Sequence, residues 1–143
     1  PTLMGAHYHI GRALVLMGEP AAALAEMDAE NFDAWRLVGL PPVYHALGRH
    51  DEAQATIAVL IEKYGRDAAY NIAYDYALMN QVDLAFEWLE KAIEYQDPGL
   101  SEIAVTPEFQ VLENDPRWLP FLERLEKAPG QLDSIAFNVS IPE

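Results

Sequence analysis

The side chains able to do chemistry are few and poorly spaced for it. Histidine supplies the only nitrogen ligands a metal could use, at His7, His9, His45 and His50. His7 and His9 stand two apart, which on a helix turns them to different faces, and His45 and His50 flank a helix end. No His-Glu-x-x-His or similar pair occurs, so no metal is expected, and His7 reads as a core-facing residue with a satisfied ring nitrogen. Serine occurs only as Ser101, Ser134 and Ser140, none of them in the Gly-x-Ser-x-Gly that aims a hydrolase nucleophile. Neither a glycine-rich phosphate loop nor a dinucleotide fingerprint is present. Asp83, Glu87, Glu90 and Glu94 recur at helical spacing and read as a solvated outer face, with Glu87 four residues ahead of Lys91. The expectation is a chain that is not an enzyme, with no catalytic residues and no cofactor.

Composition supports a packed helical domain. Half of the 143 residues are hydrophobic (51%), too many for disorder. Ala, Leu and Glu dominate and long β-branched runs are missing, which favours helix. No stretch nears the ~20 apolar residues of a membrane span, and no basic segment followed by an apolar run marks a secretory signal. A cytoplasmic protein with no membrane partner is therefore expected. With no cysteine, disulfides, thiolate catalysis and cysteine-based zinc sites are excluded. A net charge of -14 makes nucleic acid an unfavourable ligand, since phosphate binding depends on Lys and Arg. Fifteen of the 23 acids lie from Asp67 onward, against four of the nine bases, a charge that serves solubility or, as the alternative, a basic partner surface. The chain opens on Pro1 rather than Met, which reads as a segment of a longer protein.

The elements that position these residues show themselves as a repeat. Leu16-Met17-Gly18-Glu19-Pro20-Ala21-Ala22-Ala23 aligns with Ala46-Leu47-Gly48-Arg49-His50-Asp51-Glu52-Ala53, and both align with Leu78-Met79-Asn80-Gln81-Val82-Asp83-Leu84-Ala85. Each segment places a residue able to take positive φ at the end of a first helix and a small residue inside a second. The first helices carry His7-x-x-Ile10-Gly11-x-x-Leu14, Leu37-x-x-Leu40-Pro41-x-x-Tyr44 and Ala69-x-x-Ile72-Ala73-x-x-Tyr76. Gly11, Ala73 and the alanines 23, 53 and 85 are small enough for two antiparallel helices to cross closely. One such pair cannot cover its own apolar face, so successive pairs must stack. The spacing of 30 and 32 residues between the alanines is close to the ~34 of one known repeat class.

Over roughly Met4 to Pro98 the chain resembles the tetratricopeptide repeat (TPR) family. The resemblance implies an all-α solenoid of three helix pairs, at about 4–34, 35–66 and 67–98. Trp35-Arg36-Leu37, Phe86-Glu87-Trp88-Leu89-Glu90-Lys91-Ala92 and Asn114-Asp115-Pro116-Arg117-Trp118 are further similar to the C-terminal TPR regions of bacterial multidomain signalling proteins. In those proteins the repeats follow a cyclase, a winged-helix regulator or a kinase domain. First helices line the concave face of TPR arrays, and ligands lie along it. The phase above then puts Tyr8, Arg12, Trp35, Val38, Pro42, His45, Tyr70, Asn71, Tyr74 and Asp75 on that face. Trp35 serves equally well as a packing residue between repeats. A clamp of Lys, Arg and Asn for a C-terminal carboxylate is not expected, because only Arg12 of that set stands in the first repeat. The implied function is a non-catalytic module that binds a peptide or protein domain in a mixed aromatic and polar cradle. The alternative is a regulatory segment that packs on an attached catalytic or DNA-binding domain, or self-associates as a homo-oligomer.

Three departures from the repeat carry expectations of their own. Pro41-Pro42 removes two helical donors, which predicts separate segments at Asn31–Leu40 and Val43–Leu47, the break being either a packed bend or a notch open to a ligand. Thr106-Pro107-Glu108 reads as an N-cap, a proline and an acid opening a short helix, and Asp115-Pro116-Arg117 opens another with Trp118, Phe121, Leu122 and Leu125 inward. Together they form a cap over 99–128. The tail, 129–143, is expected to be extended, with Ile135, Phe137, Val139 and Ile141 alternating along one side, packed on the domain or paired with another chain.

Overall fold

The structure, a computed structural model, describes residues 5–133, and every regular element among them is helical. Six helices come first: α1 (Ala6–Leu16), α2 (Pro20–Ala29), α3 (Asp33–Ala46), α4 (His50–Tyr64), α5 (Ala69–Leu78) and α6 (Val82–Tyr95). They pack as three hairpins, α1 on α2, α3 on α4 and α5 on α6, stacked through α3 on α1 and α2 and through α5 on α3. No helix among the described residues is long and apolar enough to cross a membrane.

The three hairpin turns are built alike because three sequences satisfy the same backbone demand. Gly18 (φ 77°), Gly48 (φ 73°) and Asn80 (φ 58°) each take the left-handed conformation. Their N–H groups bond the carbonyls of Val15, His45 and Ala77 at 2.9–3.0 Å. The next residue along donates five positions back: Glu19 to Leu14, Arg49 to Tyr44 and Gln81 to Tyr76, each at 2.8 Å. These paired bonds satisfy carbonyls a helix end would otherwise leave open. Ala23, Ala53 and Ala85 are buried at the crossings, with Met27, Ile57 and Leu89 one turn on beneath them.

α3 departs from the expected break. It runs unbroken through Pro41 and Pro42, so the separate segments at Asn31–Leu40 and Val43–Leu47 do not form. Residues Val38 to Val43 are all buried, and that packing offsets the two lost donors, which in an open helix cost about 3 kcal/mol each. Pro41 and Pro42 are themselves buried, so the bend is a packed one at these two residues.

Beyond Gln96, itself in the left-handed conformation (φ 57°), the chain forms a strap of two 3-10 stretches, Pro98–Val105 and Pro107–Leu112. Then come α7 (Trp118–Arg124) and α8 (Pro129–Leu132). Thr106 does not cap the second stretch with its side chain, as its hydroxyl is engaged elsewhere. α7 lies on α6, with Phe121 edge-on to Phe86 at 6.4 Å and the Arg117 guanidinium 4.3 Å over the Phe86 ring. The exposed α6 carboxylates help hold it: Asp83 pairs with Arg117 (2.9 Å) and Glu90 with Arg124 (2.6 Å), while Glu87 pairs with Lys91 (2.6 Å). Trp118, Phe121 and Leu122 are buried as expected, with Leu125 half-buried. The extended tail is corrected at its start, where residues 129–132 are helical and the Gln131 side chain accepts the Ala128 N–H. The alternating Ile135 to Ile141 lie outside the described residues.

Candidate functional site

The strap folds back along α5 and reaches α1 at Arg12, covering part of the face that the repeat phase picked out. It is anchored at both ends by α5. The Asp97 carboxylate accepts the Tyr70 N–H (2.9 Å) in the first turn of α5 and the Gly99 N–H (2.8 Å) beyond. Gly99 sits so tightly on the Tyr70 ring that a Cβ there would fall 2.4 Å from it. Further on, the Tyr70 hydroxyl meets the Thr106 hydroxyl at 2.5 Å, and Thr106 donates to the Glu102 carbonyl at 2.9 Å. Phe109, fully buried, packs edge-on to Tyr70 (5.4 Å) and Tyr74 (6.4 Å) and against Trp118 (5.7 Å).

At the centre lies a charge cluster spanning most of the chain. Arg12 of α1 grips Glu108 of the strap with two donors, Nε to Oε1 and Nη2 to Oε2, the latter at 2.7 Å. The Glu108 side chain is wholly buried and that of Arg12 is 28% exposed. The guanidinium also stands over the Tyr74 ring, 5.2 Å from its centre, a cation–π contact. The Tyr74 hydroxyl bonds that of Tyr8 and accepts from Asn71 at 2.7 Å. Burial lifts the Tyr8 and Tyr70 phenols to about 12 and Tyr74 well above its ordinary value. Asp75 is the anomaly. It is completely buried, and neither carboxyl oxygen has a hydrogen-bond partner among the described residues. Burial, reinforced by Glu108 and opposed by Arg12, pushes its carboxyl well above the aspartate range and so favours the protonated form.

The predicted concave-face residues therefore come together, and most of them are covered. Tyr8, Arg12, Val38, Pro42, Tyr74 and Asp75 line one small, nearly filled cavity between α1, α3 and α5. Tyr8, Val38, Pro42, Tyr70, Tyr74 and Asp75 are buried, and Asn71 is half-buried, so an open cradle at these positions is corrected to a closed one, packed between the helices and covered by the strap at Tyr70 and Tyr74. Trp35 is half-buried and stacks on Tyr8 at 4.9 Å, a packing role between the first two hairpins. His45 stands apart from the cluster, its ring 4.8 Å from that of His50, and burial lowers its pKa. His7 is half-buried with Nδ1 2.7 Å from Glu26. No group of three or more His, Asp or Glu among the described residues could hold a metal ion.

Sequence reasoning missed Glu108, Phe109, Thr106 and Asp97. Glu108 read as a first-turn acid, a role that needs no distant partner, and its pairing with Arg12 across 96 positions has no periodic signature. The available signal was an acid directly followed by Phe109 and then Val111 and Leu112, too apolar a run for a solvated cap. The chain matches no family model, no curated protein and no solved structure.

Proposed function

We propose that the chain is a non-catalytic interaction module of the TPR type, which engages a protein or peptide segment on the face formed by α1, α3 and α5. The observation that carries this reading is the strap itself. A strap of 3-10 helix lies along α5 and reaches Arg12 of α1, held by side chains from both, as a ligand lies in a solenoid groove. Three hairpins with a common turn, a common small-residue crossing and stacked order support the repeat assignment. The test is an array of short peptides graded in charge and aromatic content, probed with the labelled chain. Retention of at least one class, lost in Arg12→Gln with helicity intact, is the expected outcome. Retention of none overturns the reading.

A second reading, self-association, is favoured by the first hairpin. Ile10 is 49% exposed and Met17 69%, whereas at the equivalent positions of the other hairpins Leu40, Ile72 and Met79 are 4% exposed or less and Leu47 is half-buried. Sedimentation of wild type against Ile10→Lys/Met17→Lys checks it, with a lower mass for the variant expected.

A further inference from the structure

We infer that the seat between α1 and α5 selects a glutamate followed directly by an aromatic residue, and that a segment of this chemistry from a partner protein replaces the chain's own residues 106–112. The assignment rests on the interaction-module reading and names the partner's chemistry. The resident segment displays that chemistry in place. Arg12 meets both oxygens of Glu108, and the edge-to-face slot of Tyr70 and Tyr74 takes the ring of Phe109. A lysine or arginine at the glutamate position would face the Arg12 guanidinium, so the seat discriminates by sign as well as by shape.

Two features distinguish a replaceable occupant from permanent core. The strap consists of 3-10 stretches that each begin at a proline, so its backbone has weak hydrogen bonding of its own and is held by side chains. Asp75 is the second feature. The same repeat position carries Val43 in the second hairpin, fully buried, and an apolar residue here would suit a seat that never opens. An acid suits one that does. With a glutamate in place, burial and the Glu108 charge favour the protonated Asp75; once the glutamate leaves, Asp75, which lines the same cavity as Arg12, is a buried carboxyl able to serve as its counter-ion. The guanidinium is then not stranded without a partner during exchange.

The test uses the full chain carrying Glu108→Gln and Phe109→Ala, which loosen the resident segment, and a fluorescent peptide Thr-Pro-Glu-Phe-Gln-Val-Leu that copies residues 106–112. Saturable binding measured by anisotropy is expected, about tenfold tighter to the variant than to wild type, whose seat is filled. Replacing the peptide's glutamate by glutamine, or adding Arg12→Gln to the chain, should each weaken binding about tenfold. Absence of binding with helicity retained overturns the proposal, and so does equal affinity for the glutamine peptide. Dimers formed by strap exchange, without peptide uptake, overturn it in favour of a second copy as the occupant. Should the double variant unfold, hydrogen exchange on Glu108→Gln alone decides. Amides of residues 98–112 exchanging well ahead of α3 and α4 support a replaceable strap, and exchange only on global unfolding overturns it. If this peptide fails while another class is retained on the array, the glutamate–aromatic assignment falls and the interaction-module reading stands.

Discussion

Asp75 is the residue whose energetics are least like those of its neighbours. Two carboxyl oxygens buried without partners leave a desolvation cost of about 1–3 kcal/mol unanswered. Asp75→Val, the side chain of the second hairpin at this position, should raise stability by about that amount in urea unfolding at pH 7. Its pH dependence has a definite sign. The folded-state pKa lies above the unfolded value, so the folded state holds the proton longer. The associated stability is complete below the ordinary aspartate value of about 4 and is lost as pH rises from there toward the raised value. Arg12, Tyr8 and Tyr74, which face Asp75, do not change charge across that window, and this component of the pH dependence should be missing from Asp75→Val when the two proteins are compared. Arg12 makes the complementary case. Arg12→Leu alone strands Glu108 in the interior and should cost about 3–5 kcal/mol, whereas Arg12→Leu with Glu108→Leu should cost less, because no unpaired charge remains.

At the scale of the element, what the sequence displayed was what depends on neighbours along the chain. Gly18, Gly48 and Asn80 announce their turns because positive φ is a local demand, and the alanines at the crossings follow at a fixed offset. Gly48→Ala should therefore cost about 1–2 kcal/mol, the penalty of a Cβ in the left-handed region, read as a lower urea midpoint with unchanged slope. Asn80→Gly should move the midpoint the other way by a smaller amount. Pro41 and Pro42 show the converse. Their local cost pointed to a broken helix, and packing on both sides of α3 outweighed it. The repeat phase likewise gathered Tyr8, Arg12, Tyr74 and Asp75 onto one face, because phase is a property of each helix. It could not show that the face is roofed, since the roof is a 3-10 strap with no periodicity and a partner 96 positions away.

For the whole molecule, the strap and α7 do at the last hairpin what each hairpin does for the one before it. Tyr70, Tyr74 and Phe86 are 2–7% exposed, with Phe109 and Phe121 packed against them. The ion pairs that tie α7 to α6 are solvent-exposed, so they set orientation more than stability. The apolar seat is what holds the end closed. A chain ending at Gln96 should therefore keep its three hairpin turns while exposing the α5–α6 face. It should bind a hydrophobic dye, sediment as aggregates or higher oligomers, and melt with a broadened transition. Arg12 would lose its glutamate at the same time, and Asp75 would lose the Glu108 charge while keeping that of Arg12, so in the truncated chain the Asp75 carboxyl should titrate at lower pH than in the full one. Carboxyl titration by NMR in the two chains measures this. An unchanged Asp75 in a truncated chain that still folds would show that burial alone holds its proton and that Glu108 contributes nothing to it.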